Sequence, residues 1–493
     1  MTRRVVVVGH GMVGARFAEE VRRRDRHGDR VQLTVFGAEM HDAYNRVLLS
    51  TVLAGGLTAD SVRLRGADWA AEHRVRVRGG VSVTEIDRAA RRVRCSDSSS
   101  EPYDELVLAT GSRAWVPPID GLMAEDGASL AEGVAVFRDM DDCARILRFA
   151  QPGARIAVLG GGLLGLEASR GLVGRGVRVS VLHPVSHLME RQLDAGAGAV
   201  LSGTLRRLGV DVRLGVTAKR WSPERGLECD DGSVASVDAV VVAAGVRQDT
   251  GLAERAGITV DRGVLVDDRM CTSDDRVHAI GDCVRHPGTV SGLVQPGYEQ
   301  AEVLADVLTG TDPSARYRGT PVVTRLKARD IDLAAVGDAL AEDPGDGSVE
   351  VLRLEDAYRG RYAKIVLRGD RLVGAIMLGV PDAAASAIQL YDSGSAAPSD
   401  RLALLLGRTL PPEQLSRGGG PVSPAQLPST AVICRCNTVS KGRLVAAWRV
   451  GATDPAALSR ATRAGTGCGS CQQAVAGICA WLNETEPSQE GAA

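Results

Sequence analysis

Four cysteines stand in two closely spaced pairs, Cys434-Arg435-Cys436 and Cys468-Gly469-Ser470-Cys471, with 31 residues between them. Four thiolates so placed are a soft tetradentate set, suited to a zinc ion or a 2Fe–2S cluster. Two glycine-rich segments offer a second chemistry. Gly9-His10-Gly11-Met12-Val13-Gly14 and Gly160-Gly161-Gly162-Leu163-Leu164-Gly165 share the GxGxxG spacing and lie 151 residues apart. In that pattern the first two glycines allow a tight turn and let backbone N–H groups approach a pyrophosphate. The third lets the helix pack closely on its strand, and the anion sits at the helix N-terminus. One such segment is weak evidence because glycine turns are common; two in the same context are strong.

The context is supplied by the flanking elements. Arg4-Val5-Val6-Val7-Val8 predicts a strand entering the first turn, followed by a helix to about Arg24 and a strand from Val31 to Phe36. Arg155 to Leu159, a helix to about Gly174 and a strand from Val177 to Leu182 repeat the unit. Strand, glycine turn, helix, strand is what the dinucleotide fingerprint demands. Further apolar strands end in small residues: Leu106-Val107-Leu108 in Ala109-Thr110-Gly111, Val240-Val241-Val242 in Ala243-Ala244-Gly245, and Val277 to Ile280 in Gly281-Asp282.

With 493 residues the chain is expected to form several domains. The 59 Lys and Arg nearly balance 61 Asp and Glu, which excludes a polyanion-coating protein, and 3% aromatics leave few base-stacking platforms. Only four basic residues are lysine, namely 219, 327, 364 and 441, a bias of composition rather than chemistry. No apolar stretch reaches the ~18–20 residues of a membrane span, and the N-terminus lacks a signal-peptide pattern, so a cytoplasmic protein is expected. In a reducing compartment the ten cysteines are ligands or buried thiols rather than disulfides. Cys95, Cys143, Cys229, Cys271 and Cys283 are isolated and expected as small apolar fillers, as is Cys479. The absence of CxxC or CxxxxC from either nucleotide segment disfavours a disulfide relay.

These motifs together resemble the flavoproteins with two dinucleotide-binding domains. The resemblance implies FAD at Gly9, Gly11, Met12, Val13, Gly14, Ala109, Thr110, Gly111, Gly281 and Asp282, the last reaching the ribityl and pyrophosphate region. It implies NAD(P) at Gly160, Gly162, Leu163, Leu164, Gly165 and Gly245. Pro296-Gly297-Tyr298-Glu299-Gln300-Ala301 then starts a helix whose N-terminal dipole favours the anionic reduced flavin. The likeness sharpens to the flavin part of assimilatory nitrite reductases and to nitrate reductase electron-transfer subunits. Ala43-Tyr44-Asn45-Arg46-Val47-Leu48-Leu49-Ser50, with Arg46 approaching FAD, and Leu188-Met189-Glu190-Arg191-Gln192-Leu193-Asp194 carry it, and it extends to about residue 482. The sirohaem and 4Fe–4S region of the nitrite reductases is absent, so nitrite reduction by this chain alone is not expected.

Two places depart from the pattern. The acid due after the second strand of the FAD unit is displaced, with Gly37 at the strand end and Glu39, taken as the ribose ligand, two residues on. The nicotinamide unit holds His183 where an acid would repel a 2′-phosphate, and no arginine stands beside it, although Arg178 and Arg191 are near in sequence. The resemblance favours NADH. It also places Glu167 near the nicotinamide–flavin contact.

From about Pro321 to Leu406, strand runs at Ala363 to Leu367 and Leu372 to Met377 and a terminal apolar helix resemble the C-terminal domain of rubredoxin-reductase-like flavoproteins. A Pro/Gly/Ser-rich stretch follows and is expected to tether rather than pack. The cysteine pairs and Gly465-Thr466-Gly467-Cys468-Gly469-Ser470-Cys471 resemble bacterioferritin-associated ferredoxin domains, which favours a 2Fe–2S cluster over zinc. Between 431 and 482, Arg435, Lys441, Arg443, Arg449, Arg460 and Arg463 face only Asp454, either balancing the cluster's charge or forming a docking face.

The expected fold is therefore α/β, with two Rossmann-like dinucleotide-binding domains, a small α+β C-terminal domain and a small helical 2Fe–2S domain. The boundaries are 1–120 and 246–320 for FAD, 121–245 for NAD(P), 321–410, a linker at 411–430, the cluster domain at 431–482 and a disordered tail at 483–493. The expected function is an NAD(P)H:acceptor oxidoreductase passing a hydride to FAD and single electrons through Cys434, Cys436, Cys468 and Cys471 to a separate nitrate or nitrite reductase. It would bind no nucleic acid and no membrane, and could form a homodimer. An amine- or opine-type dehydrogenase subunit and a zinc-containing redox sensor are the competing expectations.

Overall fold

The computed structural model describes residues 2–287, 292–326, 328–407, 424–434, 439–465 and 471–486. The chain divides into two compact units, one of Met1–Arg46, Leu57–Trp115 and Gly245–Thr320, the other of Val47–Gly56, Val116–Ala244 and Pro321–Ala493.

The first unit is built on a parallel sheet in the order Val277–Ala279, Glu105–Leu108, Arg3–Val8, Val31–Gly37, Val75–Gly79. Val5 to Val8 and Leu106 to Leu108 are all buried, and burial on both faces is why these runs lack alternation. Helix Met12–Arg24 packs beside helix Val294–Thr309. Glu20, 2% exposed, joins Arg16, Arg23 and Arg24, and Arg16 and Arg24 continue to Glu302 and Asp306 on the second helix. Every buried charge there has a partner, as burial requires.

The second unit repeats this plan. Its parallel sheet runs Val210–Leu214, Arg178–His183, Arg155–Leu159, Ala239–Val242, Val134–Val136. Each unit also carries a three-stranded antiparallel meander, Val83–Asp87 to Ser100–Pro102 in the first and Ala218–Ser222 to Val234–Ala235 in the second. In both sheets the glycine turn leaves the central strand, between neighbours reached by connections running in opposite directions. That is the switch point where open α/β sheets place their ligands.

Also in the second unit, an antiparallel sheet orders Val323–Leu326, Leu333–Gly337, Arg371–Leu378, Arg361–Arg368, Glu350–Asp356 and packs helix Pro381–Ser393 on one face. Lys364, one of the four lysines, is fully buried there, 3.0 Å from Glu342 and 3.5 Å from Asp194, which also accepts the Tyr362 hydroxyl at 2.7 Å. Lys364→Met takes the buried cation from Asp194, while Glu342 keeps its pair with Arg353. Because Glu342 faces solvent, the expected loss is about 1–3 kcal/mol rather than the larger cost of a fully buried pair, read as a lower urea midpoint at unchanged slope.

The cluster domain is a short hairpin, Val432–Cys434 with Val439–Ser440, and helices Lys441–Arg449, Pro455–Thr462 and Gln472–Thr485. Leu444, Trp448, Leu458, Val475, Ile478, Cys479 and Leu482 form its core. The last helix passes the expected boundary at 482: Asn483 accepts the Trp448 indole N–H at 2.8 Å, and Glu486 pairs with Arg449 at 2.7 Å. The end of the expected linker also packs, since Lys441 donates to Leu427 O and Gly442 N–H to Ser429 O, each at 2.8 Å. The linker's residues 411–423 and the tail's 487–493 lie outside the described residues. One excursion had no sequence signal. Val47–Gly56, inside the range expected for the FAD domain, clusters with the second unit, where helix Leu49–Leu53 packs on helix Leu163–Val173.

Candidate cofactor sites

Both glycine turns are built alike. Gly9 and Gly160 hold φ of +118° and +119°, and their N–H groups donate to Phe36 O at 2.8 Å and Leu182 O at 2.9 Å. A Cβ on Gly14 would lie 1.9 Å from Gly9 O, and one on Gly165 2.0 Å from Gly160 O, so the third glycine is required by the turn's own backbone. The middle glycines differ. A Cβ on Gly11 or Gly162 would meet no atom within 4 Å, and both residues have ordinary φ, −83° and −84°. Each caps its helix without a side-chain cap. Nothing in the fold forbids a side chain there, so the free space and uncapped N–H groups suit an anion.

Around the first turn the structure gathers most of the residues expected at FAD. The Ala109 carbonyl backs Gly9, Thr110 Oγ donates to Asp249 O at 2.7 Å and Asp249 N–H to Gly111 O at 2.9 Å. Asp282 accepts from Ser112 Oγ at 3.0 Å and Gly292 N–H at 3.1 Å, and Gly281 N–H donates to the buried Gln300 side chain at 2.8 Å. Val13 fills the space left by Gly281 and Gly297: a Cβ on either would fall 3.2 Å or 2.6 Å from it. Glu39 is paired with Arg46 and accepts the Tyr44 hydroxyl at 2.7 Å. Tyr44, Ser112 and Gln300 were missed as positioning residues, although each lies in or beside a quoted segment.

The displaced acid has a steric cause. A Cβ on Gly37 would lie 2.8 Å from His10 Cβ, so the histidine of the first turn occupies the strand end and leaves no room for a side chain there; Glu39 is the next acid along the chain. Burial holds the His10 imidazole below its ordinary pKa, against the opposing pull of Asp42 and Glu39. The second unit reverses the exchange. There the turn residue is Gly161, and a Cβ on it would lie 2.9 Å from the ring of His183 at the strand end. Arg178 begins that strand and His183 ends it, about 16 Å away at strand rise, so Arg178 is excluded from the turn. Met12 is buried at the start of its helix, Leu163 and Leu164 are half-buried, and Glu167 is buried in helix Leu163–Val173. Gly245, expected at NAD(P), clusters with the first unit and accepts the Trp115 N–H at 3.0 Å.

Of the four cysteines expected as ligands, Cys434 and Cys471 are described; both are buried in one core, and Cys436 and Cys468 lie outside the described residues. Cys434 ends a hairpin strand, and Cys471 caps helix Gln472–Thr485 with its Sγ accepting Gly465 N–H at 3.1 Å. An amide aimed at sulfur suits a cluster thiolate, whose potential such bonds tune. The isolated cysteines differ. Burial pushes Cys143 up to about 12 and the half-buried Cys271 up to about 11, so both remain neutral thiols. Of the six basic residues, Lys441 is buried, Arg449 is paired, Arg463 is half-buried, and Arg443 and Arg460 are exposed without an ion pair among the described residues; Arg435 lies outside them.

Two switch-point turns in one chain, followed in sequence by a cysteine domain, define an oxidoreductase that handles two dinucleotides. The chain belongs to the pyridine nucleotide-disulphide oxidoreductase family, which matches residues 3–303. The rubredoxin NAD+ reductase C-terminal domain matches residues 322–388, and the BFD-like [2Fe-2S] binding domain matches residues 432–481. FAD, NAD(P)H and a 2Fe–2S cluster are accordingly its cofactors. The nitrite reductase [NAD(P)H] of Bacillus subtilis is 34% identical over 96% of this chain and 57% of its own length. The assimilatory nitrate reductase electron transfer subunit of the same organism is 34% identical over 98% of this chain and 60% of its own. The chain thus spans less than two thirds of the length of either relative. Among solved structures, the covalent putidaredoxin reductase–putidaredoxin complex aligns with a TM-score of 0.69 at 26% identity, covering 84% of this chain and 95% of that one. Among the described residues no helix is long and apolar enough to cross a membrane.

Proposed function

We propose that this chain is a cytoplasmic reductase that takes electrons from NAD(P)H and delivers them singly to a separate protein, the catalytic part of an assimilatory nitrate or nitrite reductase. The observation that carries this is the joining, in one chain, of two open glycine turns and a domain with two buried cysteines, one of them accepting a backbone amide, together with the likeness to an electron transfer subunit along nearly the whole chain. When bound, the nicotinamide supplies a hydride, the flavin exchanges two electrons for single ones, and the cluster carries one at a time.

The residues supply binding and orientation. In the first unit the N–H groups after Gly11 would hold the FAD pyrophosphate, with Asp282 fixed by Ser112 and Glu39 fixed by Tyr44 and Arg46 beside them. In the second unit the N–H groups after Gly162 would hold the nicotinamide dinucleotide. Cys434 and Cys471, with Cys436 and Cys468, would hold the cluster. The exposed Arg443 and Arg460 favour an acidic acceptor surface, since complementary fields raise encounter rates. The test is reconstitution. NADH or NADPH oxidation coupled to nitrate or nitrite should require both this protein and the catalytic reductase. Reduction of ferricyanide with no transfer to either reductase would reject the acceptor.

A further inference from the structure

We infer that Glu190, held by His183, is the carboxylate that recognises the ribose of NADH in the second unit and turns away the 2′-phosphate of NADPH. The inference rests on the second glycine turn being the nicotinamide dinucleotide site.

The acid that usually ends the second strand is absent, and His183 stands in its place, 5% exposed. Its ring is held at both nitrogens. Gly161 N–H donates to Nδ1 at 3.2 Å, which fixes the tautomer with hydrogen on Nε2, and Nε2 lies 3.0 Å from Glu190 Oε2. The imidazole therefore bridges the backbone of the glycine turn to a carboxylate.

The segment carrying Glu190 is fastened to the same turn. Met189 N–H donates to Gly161 O at 3.0 Å, Met189 adopts φ of +53°, and Leu188 is fully buried against Gly161, where an added Cβ would lie 2.5 Å from its Cδ2. Those contacts leave Glu190 at the turn with its side chain 32% exposed and one carboxylate oxygen committed to His183. A carboxylate has about four acceptor positions, so capacity for ribose hydroxyls remains. The first unit offers the parallel: a histidine fills the space between turn and strand end, and the carboxylate, Glu39, comes from further along the chain. Glu190 is the same answer reached from the other side of that space.

The neighbouring charge is Arg191, exposed and without an ion pair among the described residues, which alone would welcome a 2′-phosphate. Glu190, anchored through His183 to the backbone of the turn, outweighs this unanchored guanidinium.

The experiment compares kcat/KM for NADH and NADPH with ferricyanide as acceptor, using the full-length, FAD-loaded protein. The wild type should prefer NADH by tenfold or more. Glu190→Gln, which keeps shape and removes charge, should lower that preference at least fivefold, with the change carried by KM rather than kcat. His183→Asn should act in the same direction although Glu190 is intact, because the carboxylate loses its anchor, and Arg191→Ala should raise the preference for NADH. A wild type that prefers NADPH, or a ratio unmoved in Glu190→Gln, would overturn the inference and leave the reductase intact. Failure of both nucleotides to reduce the flavin would overturn the second turn as a nucleotide site, and the inference with it.

Discussion

Cys471→Ser is expected to cut electron delivery to a protein acceptor by more than a hundredfold while NAD(P)H-to-ferricyanide turnover persists. Cys471 sits at the N-terminus of a helix whose core residues Val475, Ile478 and Leu482 are apolar and buried, so exchanging sulfur for oxygen removes little packing. What it removes is a soft thiolate from a site that needs four, together with the sulfur that accepts Gly465 N–H. The broad cluster absorption and the bound iron should fall, and the flavin bands should remain. Iron retained at the wild-type level would show that Cys471 is not a ligand. Loss of both activities in a folded, FAD-loaded variant would show that flavin reduction depends on the cluster domain.

A second large effect separates two glycines three residues apart. Gly165→Ala places a Cβ 2.0 Å from the Gly160 carbonyl, an approach no rotamer can relieve because the obstacle is backbone. The helix must move off the strand, and a loss of about 3 kcal/mol or more is expected, seen as insoluble protein or a melting temperature lower by several degrees. Gly162→Ala is the contrast. Its φ of −84° is ordinary and its Cβ would enter open space, so stability should change by less than about 1 kcal/mol. Yet the methyl occupies the volume through which the turn's N–H groups reach a pyrophosphate, and KM for NAD(P)H should rise about 10–100-fold, a cost of about 1.4–2.8 kcal/mol. Equal melting temperatures for the two variants, or an unchanged KM in Gly162→Ala, would contradict the division of roles between these glycines.

Much of the fold was legible because its signals are local. Val5 to Val8 and Arg155 to Leu159 announce buried parallel strands, and glycine spacing marks where each helix must touch its strand. The cysteine pairs were legible for the same reason, since ligand spacing survives in one dimension. What escaped depends on residues far apart in sequence. The exchange of His10 over Gly37 for His183 over Gly161 explains both missing acids, but it needs the strand end and the turn side by side. Val47–Gly56 joins the second unit because Leu49 and Leu53 find their apolar partners there, which no periodicity announces. The last helix runs to Thr485 because Trp448 and Arg449, more than thirty residues earlier, supply partners for Asn483 and Glu486. The basic patch shrank likewise once Lys441 proved to be a buried donor lying over the Trp481 ring, 4.7 Å from its centroid.

The central claim is that one chain holds a path from nicotinamide through flavin to cluster. Its most direct test is an anaerobic visible spectrum of the purified protein, titrated with NADH and, separately, with NADPH. The account predicts flavin bands over a broad iron–sulfur absorption, both bleaching as NADH is added up to about 1.5 equivalents, the three electrons that one FAD and one cluster accept, and recovering on addition of ferricyanide. A flavin spectrum without cluster absorption, or a cluster that stays oxidised while the flavin bleaches, would contradict it.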